Sequence, residues 1–289
     1  LLYTGEDGLK WRLLSRFSSS SPLGYMWECP DLFPLGGKHI LIFCPQGLQP
    51  DGMRFHNGDT CGYTVVEDDF RLGGDIPSFE ELDRGFDFYA AQTFSGTGDR
   101  KILLGWMGLP APHENPTVPY GWQHCLSIPR ELTFKRGKLW QEPLKELSAL
   151  RGSGRKGYLH KGEKTRLRGK CFEALVYPDK GNFHLAFRQD AELIYDGKIL
   201  TFRLGKSGFG RKERKCCLPD LAFLRIFSDV SSLEIFADGE VFSTRLFEEE
   251  GESGIQELAL WDGFCRWEMY PLHPFVWVYE NRSEDNEKF

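Results

Sequence analysis

The 289-residue chain has no run approaching the ~20 consecutive apolar residues that a membrane-spanning helix needs, so no span is expected. It has no excess of positive charge either. Lys and Arg total 36 against 42 Asp and Glu, a net charge of −6. That balance argues against nucleic-acid partners and against binding to a membrane surface. No signal peptide is visible, and no Cys-x-x-Cys pair occurs among the 8 cysteines. Cys216 and Cys217 are adjacent, which suits neither a zinc knuckle nor an ordinary disulfide, so a reduced, cytoplasmic setting is expected. No His, Asp or Glu cluster has zinc or calcium spacing. No glycine-rich loop of the phosphate-cradling type is present. Neither a metal nor a cofactor is expected.

Helical periodicity is nearly absent as well. Short apolar or alternating runs recur instead, among them His39 to Cys44, Cys61 to Glu67, Phe86 to Phe94 and Arg100 to Met107. Cys125 to Ile128, Glu131 to Phe134 and Lys138 to Gln141 read as three more short strands, after a proline-rich loop over 109–121. Pro143 to Leu150 is the one short helix the spacing supports. The second half reads as nine strands: Phe172 to Tyr177, Asn182 to Arg188, Ala191 to Tyr195, Lys198 to Leu204, Phe223 to Ser228, Ser232 to Ala237, Glu240 to Phe247, Gln256 to Trp261 and Cys265 to Tyr270. Asp196-Gly197 and Asp238-Gly239 suit hairpin turns. Such a pattern predicts an all-β fold, with an antiparallel sandwich in the second half. The chain is long enough for two domains. The Gly- and Arg-rich stretch Arg151 to Gly157 reads as a linker, dividing 1–150 from 151–289. Glu234, on an alternating strand, is expected to face solvent. The polar tail from Glu280, with its Asn281-Arg282-Ser283 triplet, is expected to fray.

The chemistry points to Tyr25-Met26-Trp27-Glu28-Cys29-Pro30-Asp31-Leu32-Phe33, where two carboxyl groups sit in an aromatic run. Rings crowding a carboxyl strip its hydration and favour the protonated form, as a proton donor near neutral pH requires. Pro30 excludes a helix here. Two solvated carboxylates at a strand end would produce the same local sequence, so both readings stand at this level.

Four segments in order break that tie. Trp27-Glu28-Cys29-Pro30-Asp31, Asp87-Phe88-Tyr89-Ala90-Ala91-Gln92-Thr93-Phe94, Gly105-Trp106-Met107, and Gly121-Trp122-Gln123-His124-Cys125-Leu126-Ser127-Ile128-Pro129-Arg130-Glu131-Leu132 resemble successive motifs of glycoside hydrolase family 32, the invertases and other β-fructosidases. The resemblance implies a partial five-bladed β-propeller, its later blades, followed by a C-terminal antiparallel β-sandwich. It implies hydrolysis of terminal β-D-fructofuranosides, sucrose or sucrose 6-phosphate among them, by a retaining double displacement. Glu28 would be the acid/base, with Cys29, Asp87, Tyr89 and Trp106 at the sugar and Gln92 a weaker candidate. By the residues alone, Tyr89 and Trp106 could equally be a strand aromatic and a core indole. His124 beside Cys125 reads as a coincidence of adjacent strand residues facing opposite ways.

A retaining glycosidase needs a second carboxylate roughly 5 Å from the first. The family's nucleophile lies in a Trp-Met-Asn-Asp-Pro-Asn-Gly stretch, and a further Asp lies in Arg-Asp-Pro. This chain has no Asp-Pro and no Arg-Asp dipeptide. The expectation is therefore that an N-terminal part of the propeller is missing. The chain alone would be inactive, would expose unpaired edges, and would need the missing part or self-association to fold. The alternative from another class is a non-catalytic chain acting as a sugar-binding or interaction module.

Overall fold

The computed structural model describes residues 1–66, 70–76, 78–110, 114–248 and 255–275. Among them the regular structure is strand, with four short 3-10 turns and no α-helix. Glu67, part of the loop at 111–113, the Asn281 triplet and the tail fall outside the described residues.

The first half holds two four-stranded antiparallel sheets, each joining its strands in chain order. One runs Met26–Leu35, Lys38–Gln46, Gly62–Val66 and Glu80–Glu81; the other runs Tyr89–Thr93, Lys101–Trp106, Arg130–Lys135 and Lys138–Pro143. Ile40, Ile42, Phe33 and Tyr63 of the first share an apolar cluster with Tyr89, Ala91, Leu103 and Leu132 of the second. Leu41 and Phe43 point the other way, into a cluster with Phe79 and Ile76. Burial on both faces explains why His39 to Cys44 is continuously apolar instead of alternating.

The second half holds two six-stranded antiparallel sheets lining one cluster, with Val176, Ile226 and Ile235 from one and Leu193, Phe202 and Leu258 from the other. The turns at Asp196-Gly197 and Asp238-Gly239 join neighbouring antiparallel strands as expected. Asp238 and Gly239 both have positive φ, at 43° and 92°, the backbone a tight primed turn requires. Three strands of this half escaped the sequence pattern: Arg155–His160, Lys164–Arg168 and Glu213–Cys217. All three are sheet edges, where charged residues guard the open ladder and erase the alternation.

Several expectations change. The stretch Arg151 to Gly157 is not free linker: Arg151 bridges to Leu272 and donates to Glu173, and a strand begins at Arg155. The helix is a 3-10 turn, Lys145–Leu150. Between Cys125 and Ile128 there is no strand, only a bridge from Leu126 to Trp106.

The largest correction is Glu234. It is 3% exposed, not solvent-facing, because the sheet face it projects from is covered by the first half of the chain. Its Oε2 accepts from Arg130 Nη2 at 2.6 Å, and its Oε1 from the Ile128 amide at 2.6 Å. Arg130, with no exposed surface, also donates to Asp83, Gln141 and Ser243 and lies 4.3 Å from the Phe88 ring centroid. Burial pushes the Asp83 and Glu234 carboxyls up, and the Arg130 charge draws them back. Around this cluster, Leu147 packs with Phe227, Phe236 and Val241. The amides of Arg84 and Phe86 donate to Val241 and Ser243.

Replacing Arg130 with Met should strand two buried carboxyls and cost about 3–5 kcal/mol, read as a fall in the denaturation midpoint. Lys135→Met, which breaks the exposed pair with Glu142, should cost about 1 kcal/mol or less. Equal effects would refute the assignment of Arg130 as the hub.

Candidate functional site

Two irregularities in the strands aim the side chains. Glu28 lies opposite Cys44 and Asp31 opposite Ile42, so Cys29 and Pro30 face one partner residue between them. Cys29 takes a positive φ of 49° in this bulge. The neighbouring sheet has a matching break: Tyr89 pairs with Trp106 but Gln92 with Leu104, and Ala90 has φ 51°. A bulge bends its strand and re-aims a side chain. Here the two bulges lie against one another and bring Glu28 to Tyr89.

The contacts are specific. The Tyr89 hydroxyl lies 3.2 Å from Glu28 Oε2 and 3.3 Å from the Cys44 carbonyl. Gln92 Nε2 donates to the Cys29 carbonyl at 3.0 Å, and the Thr93 amide donates to Asp31 Oδ2 at 2.7 Å. The Trp106 ring stands edge-on to Tyr89 at 6.5 Å and to His124 at 4.9 Å. Gly108 lies against the indole, where a Cβ would come within 2.5 Å of it; Gly105 instead makes room for Phe88. Burial pushes the Tyr89 phenol well above its usual range; a hydrogen bond from Gln46 opposes this and the neighbouring Glu28 adds to it. Burial likewise raises the Cys29 thiol, so this thiol is no ready nucleophile.

Of the five expected site residues the structure brings four together: Glu28, Cys29, Tyr89 and Trp106. Asp87 is elsewhere. It is 3% exposed and clasped by Arg211, whose Nε and Nη2 donate at 2.7 and 2.6 Å. The Arg245 amide and the Thr244 hydroxyl donate to it too. Its carboxylate joins the two halves. The aromatic enclosure expected of Glu28 is partial: Tyr89 touches the acid, but Glu28 is half-buried and Tyr25 is 78% exposed. Its hydrogen-bond donors are the Gln46 amide and the Tyr89 hydroxyl.

Gln46 was missed by the sequence reading. Its Nε2 donates to Glu28 Oε2 at 2.8 Å, and its Oε1 accepts from the Tyr25 hydroxyl at 2.9 Å. The one sequence signal was its place at the end of an apolar strand that the Glu28 strand must pair with. Among the described residues no group of three or more His, Cys, Asp or Glu could hold a metal, and no helix is long and apolar enough to cross a membrane.

Comparison with known proteins fits this geometry. Residues 1–143 match the family model for the glycosyl hydrolases family 32 N-terminal domain. The chain is 35% identical over 287 residues to the sucrose-6-phosphate hydrolase of Bacillus subtilis, covering 90% of this chain and 58% of that protein. It is 37% identical to that of Klebsiella pneumoniae, covering 94% and 59%. The matched part of the chain, residues 1–143, belongs to glycoside hydrolase family 32. Among solved family 32 structures, the Bombyx mori β-fructofuranosidase superposes with a TM-score of 0.81 at 28% identity, over 93% of this chain and 59% of that one. The Lactobacillus gasseri sucrose-6-phosphate hydrolase does so with 0.81 at 26%, over 94% and 60%. The chain thus spans a little under three-fifths of the length of these relatives.

Tyr89 should not ionise where free phenols do, around pH 10. The ultraviolet difference between wild type and Tyr89→Phe should therefore show no phenolate through that range; a phenolate appearing there would contradict its burial.

Proposed function

We propose that this chain is the part of a retaining β-fructofuranosidase that carries the acid/base, Glu28, and not the nucleophile. One observation carries the reading: a carboxyl group is held by Gln46 and by Tyr89, whose ring stands edge-on to the Trp106 indole, in a family 32 chain. The relatives named sucrose-6-phosphate hydrolase, and a Bombyx mori β-fructofuranosidase variant solved in complex with sucrose, support sucrose or its 6-phosphate as substrate.

Glu28 protonates the glycosidic oxygen as the bond to the fructosyl anomeric carbon breaks. It then takes a proton from the water that releases the sugar. Trp106 offers an apolar wall to the sugar's C–H face. The attacking carboxylate comes from a segment of the Trp-Met-Asn-Asp-Pro-Asn-Gly type, which this chain does not contain. On this reading the two four-stranded sheets are propeller blades within 1–150, and the two six-stranded sheets form a sandwich within 151–289.

The chain alone should not hydrolyse sucrose, and supplying a polypeptide with the nucleophile motif should restore turnover. In that assembly Glu28→Gln should lower kcat by ~10²-fold or more, as for other lost general acids, with binding retained. Turnover within a few-fold of wild type would show that Glu28 is not the acid.

A further inference from the structure

Gln46 has no part in the proposed chemistry, yet it is the best-anchored contact of the acid. It is 7% exposed and ends the strand that pairs with the Glu28 strand. A glutamine amide has two unlike ends: the oxygen only accepts and the nitrogen only donates. The Tyr25 hydroxyl donates to the oxygen at 2.9 Å, so the nitrogen is the end that meets Glu28, at 2.8 Å. Tyr25 is itself fixed. Its amide donates to the Gln46 carbonyl at 2.9 Å. Its ring lies over Gly47, where φ is +76° and a Cβ would sit 2.5 Å from the ring. A tyrosine 78% exposed gains little from burial, so the hydroxyl contact is what its placement secures.

Both donors to Glu28 reach the same oxygen, Oε2. Among the described residues Oε1 has no donor against it. A proton on Oε2 would weaken it as acceptor for the Gln46 N–H and turn the Tyr89 hydroxyl toward the Cys44 carbonyl, so this arrangement favours the proton on Oε1. When that proton leaves, the bond from Nε2 becomes charge-assisted and strengthens.

We infer that Gln46 is a positioning residue for proton transfer: clamped by Tyr25, it occupies Oε2 and leaves Oε1 to protonate the leaving oxygen. The inference rests on the reading of Glu28 as the acid. In the step itself the anomeric C–O bond breaks and its electron pair goes to the bridging oxygen. That oxygen takes the proton from Oε1, and a carboxylate of the nucleophile-bearing segment bonds to the anomeric carbon. If Gln46 were merely a buried amide satisfied by nearby groups, its loss would affect every substrate alike.

Leaving-group dependence separates the two. Sucrose needs a proton on its departing oxygen, whereas a nitrophenyl fructoside releases a stable anion. In the assembly that turns over, Gln46→Met should lower kcat for sucrose ~10-fold, the worth of one hydrogen bond to a charged group. KM and the rate on the nitrophenyl fructoside should both stay within about twofold. Tyr25→Phe should reproduce part of the sucrose loss, and none of it in the Gln46→Met background. Equal losses on both substrates, or none on either, would overturn the inference. Glu28→Gln tells its failure from failure of the parent reading: if that variant hydrolyses sucrose at the wild-type rate, Glu28 is not the acid. If it is inactive while Gln46→Met is unaffected, only the role of Gln46 falls. A further measurement needs no turnover. In the isolated chain, the Gln46 side-chain 15N–1H signals should move on Glu28→Ala and on Tyr25→Phe. Signals blind to Glu28 would refute the contact.

Discussion

One buried cation ties this molecule together. Arg130 belongs to the first half of the chain by strand and to the second by partner, since Glu234 lies on a strand of a six-stranded sheet. An unpaired guanidinium at that depth would be costly. Asp83, Glu234, Gln141 and Ser243 must therefore be in place together, and each comes from a different segment. Asp83 also accepts from the amide and hydroxyl of Ser243. Removing any one member of this network would leave the others buried and unpaired. The surrounding apolar contacts of Leu147, Phe227, Phe236 and Val241 exclude water from it.

That docking bears on the site. Arg130 starts the strand that pairs with Lys101–Trp106, and Trp106 ends the strand that pairs with Tyr89–Thr93. Asp87, two residues before Tyr89, is held by Arg211 and Arg245 of the second half. The strand that presents Tyr89 to Glu28 is thus anchored at its start by the other half. Asp87 thereby helps to place the segment that carries Tyr89.

Much was legible beforehand because the signals are local. Turn chemistry at Asp196-Gly197 and Asp238-Gly239 and apolar runs such as His39 to Cys44 need only neighbouring residues to be read. Three edge strands were not legible, since Arg155–His160, Lys164–Arg168 and Glu213–Cys217 carry charge where an interior strand would carry alternating apolar residues, whereas the apolar edge at Glu240–Arg245 was. Glu234 misled for a related reason: alternation tells which face a residue lies on but not whether another layer covers that face. Gln46 could not be found by motif, because its role comes from lying beside the Glu28 strand and has no sequence pattern of its own.

By itself the amino-acid sequence determined the all-β class, the family, and Glu28, Tyr89 and Trp106 as residues to look for. Each depends on residue type and short spacing, which the chain states directly. Tertiary structure alone decided that Asp87 joins the two halves, that Glu234 is buried on Arg130, and that two facing bulges bring Glu28 under Tyr89 beside Gln46. Those depend on which strands meet and where a register slips by a residue. Such pairings are settled by packing between segments far apart in the chain.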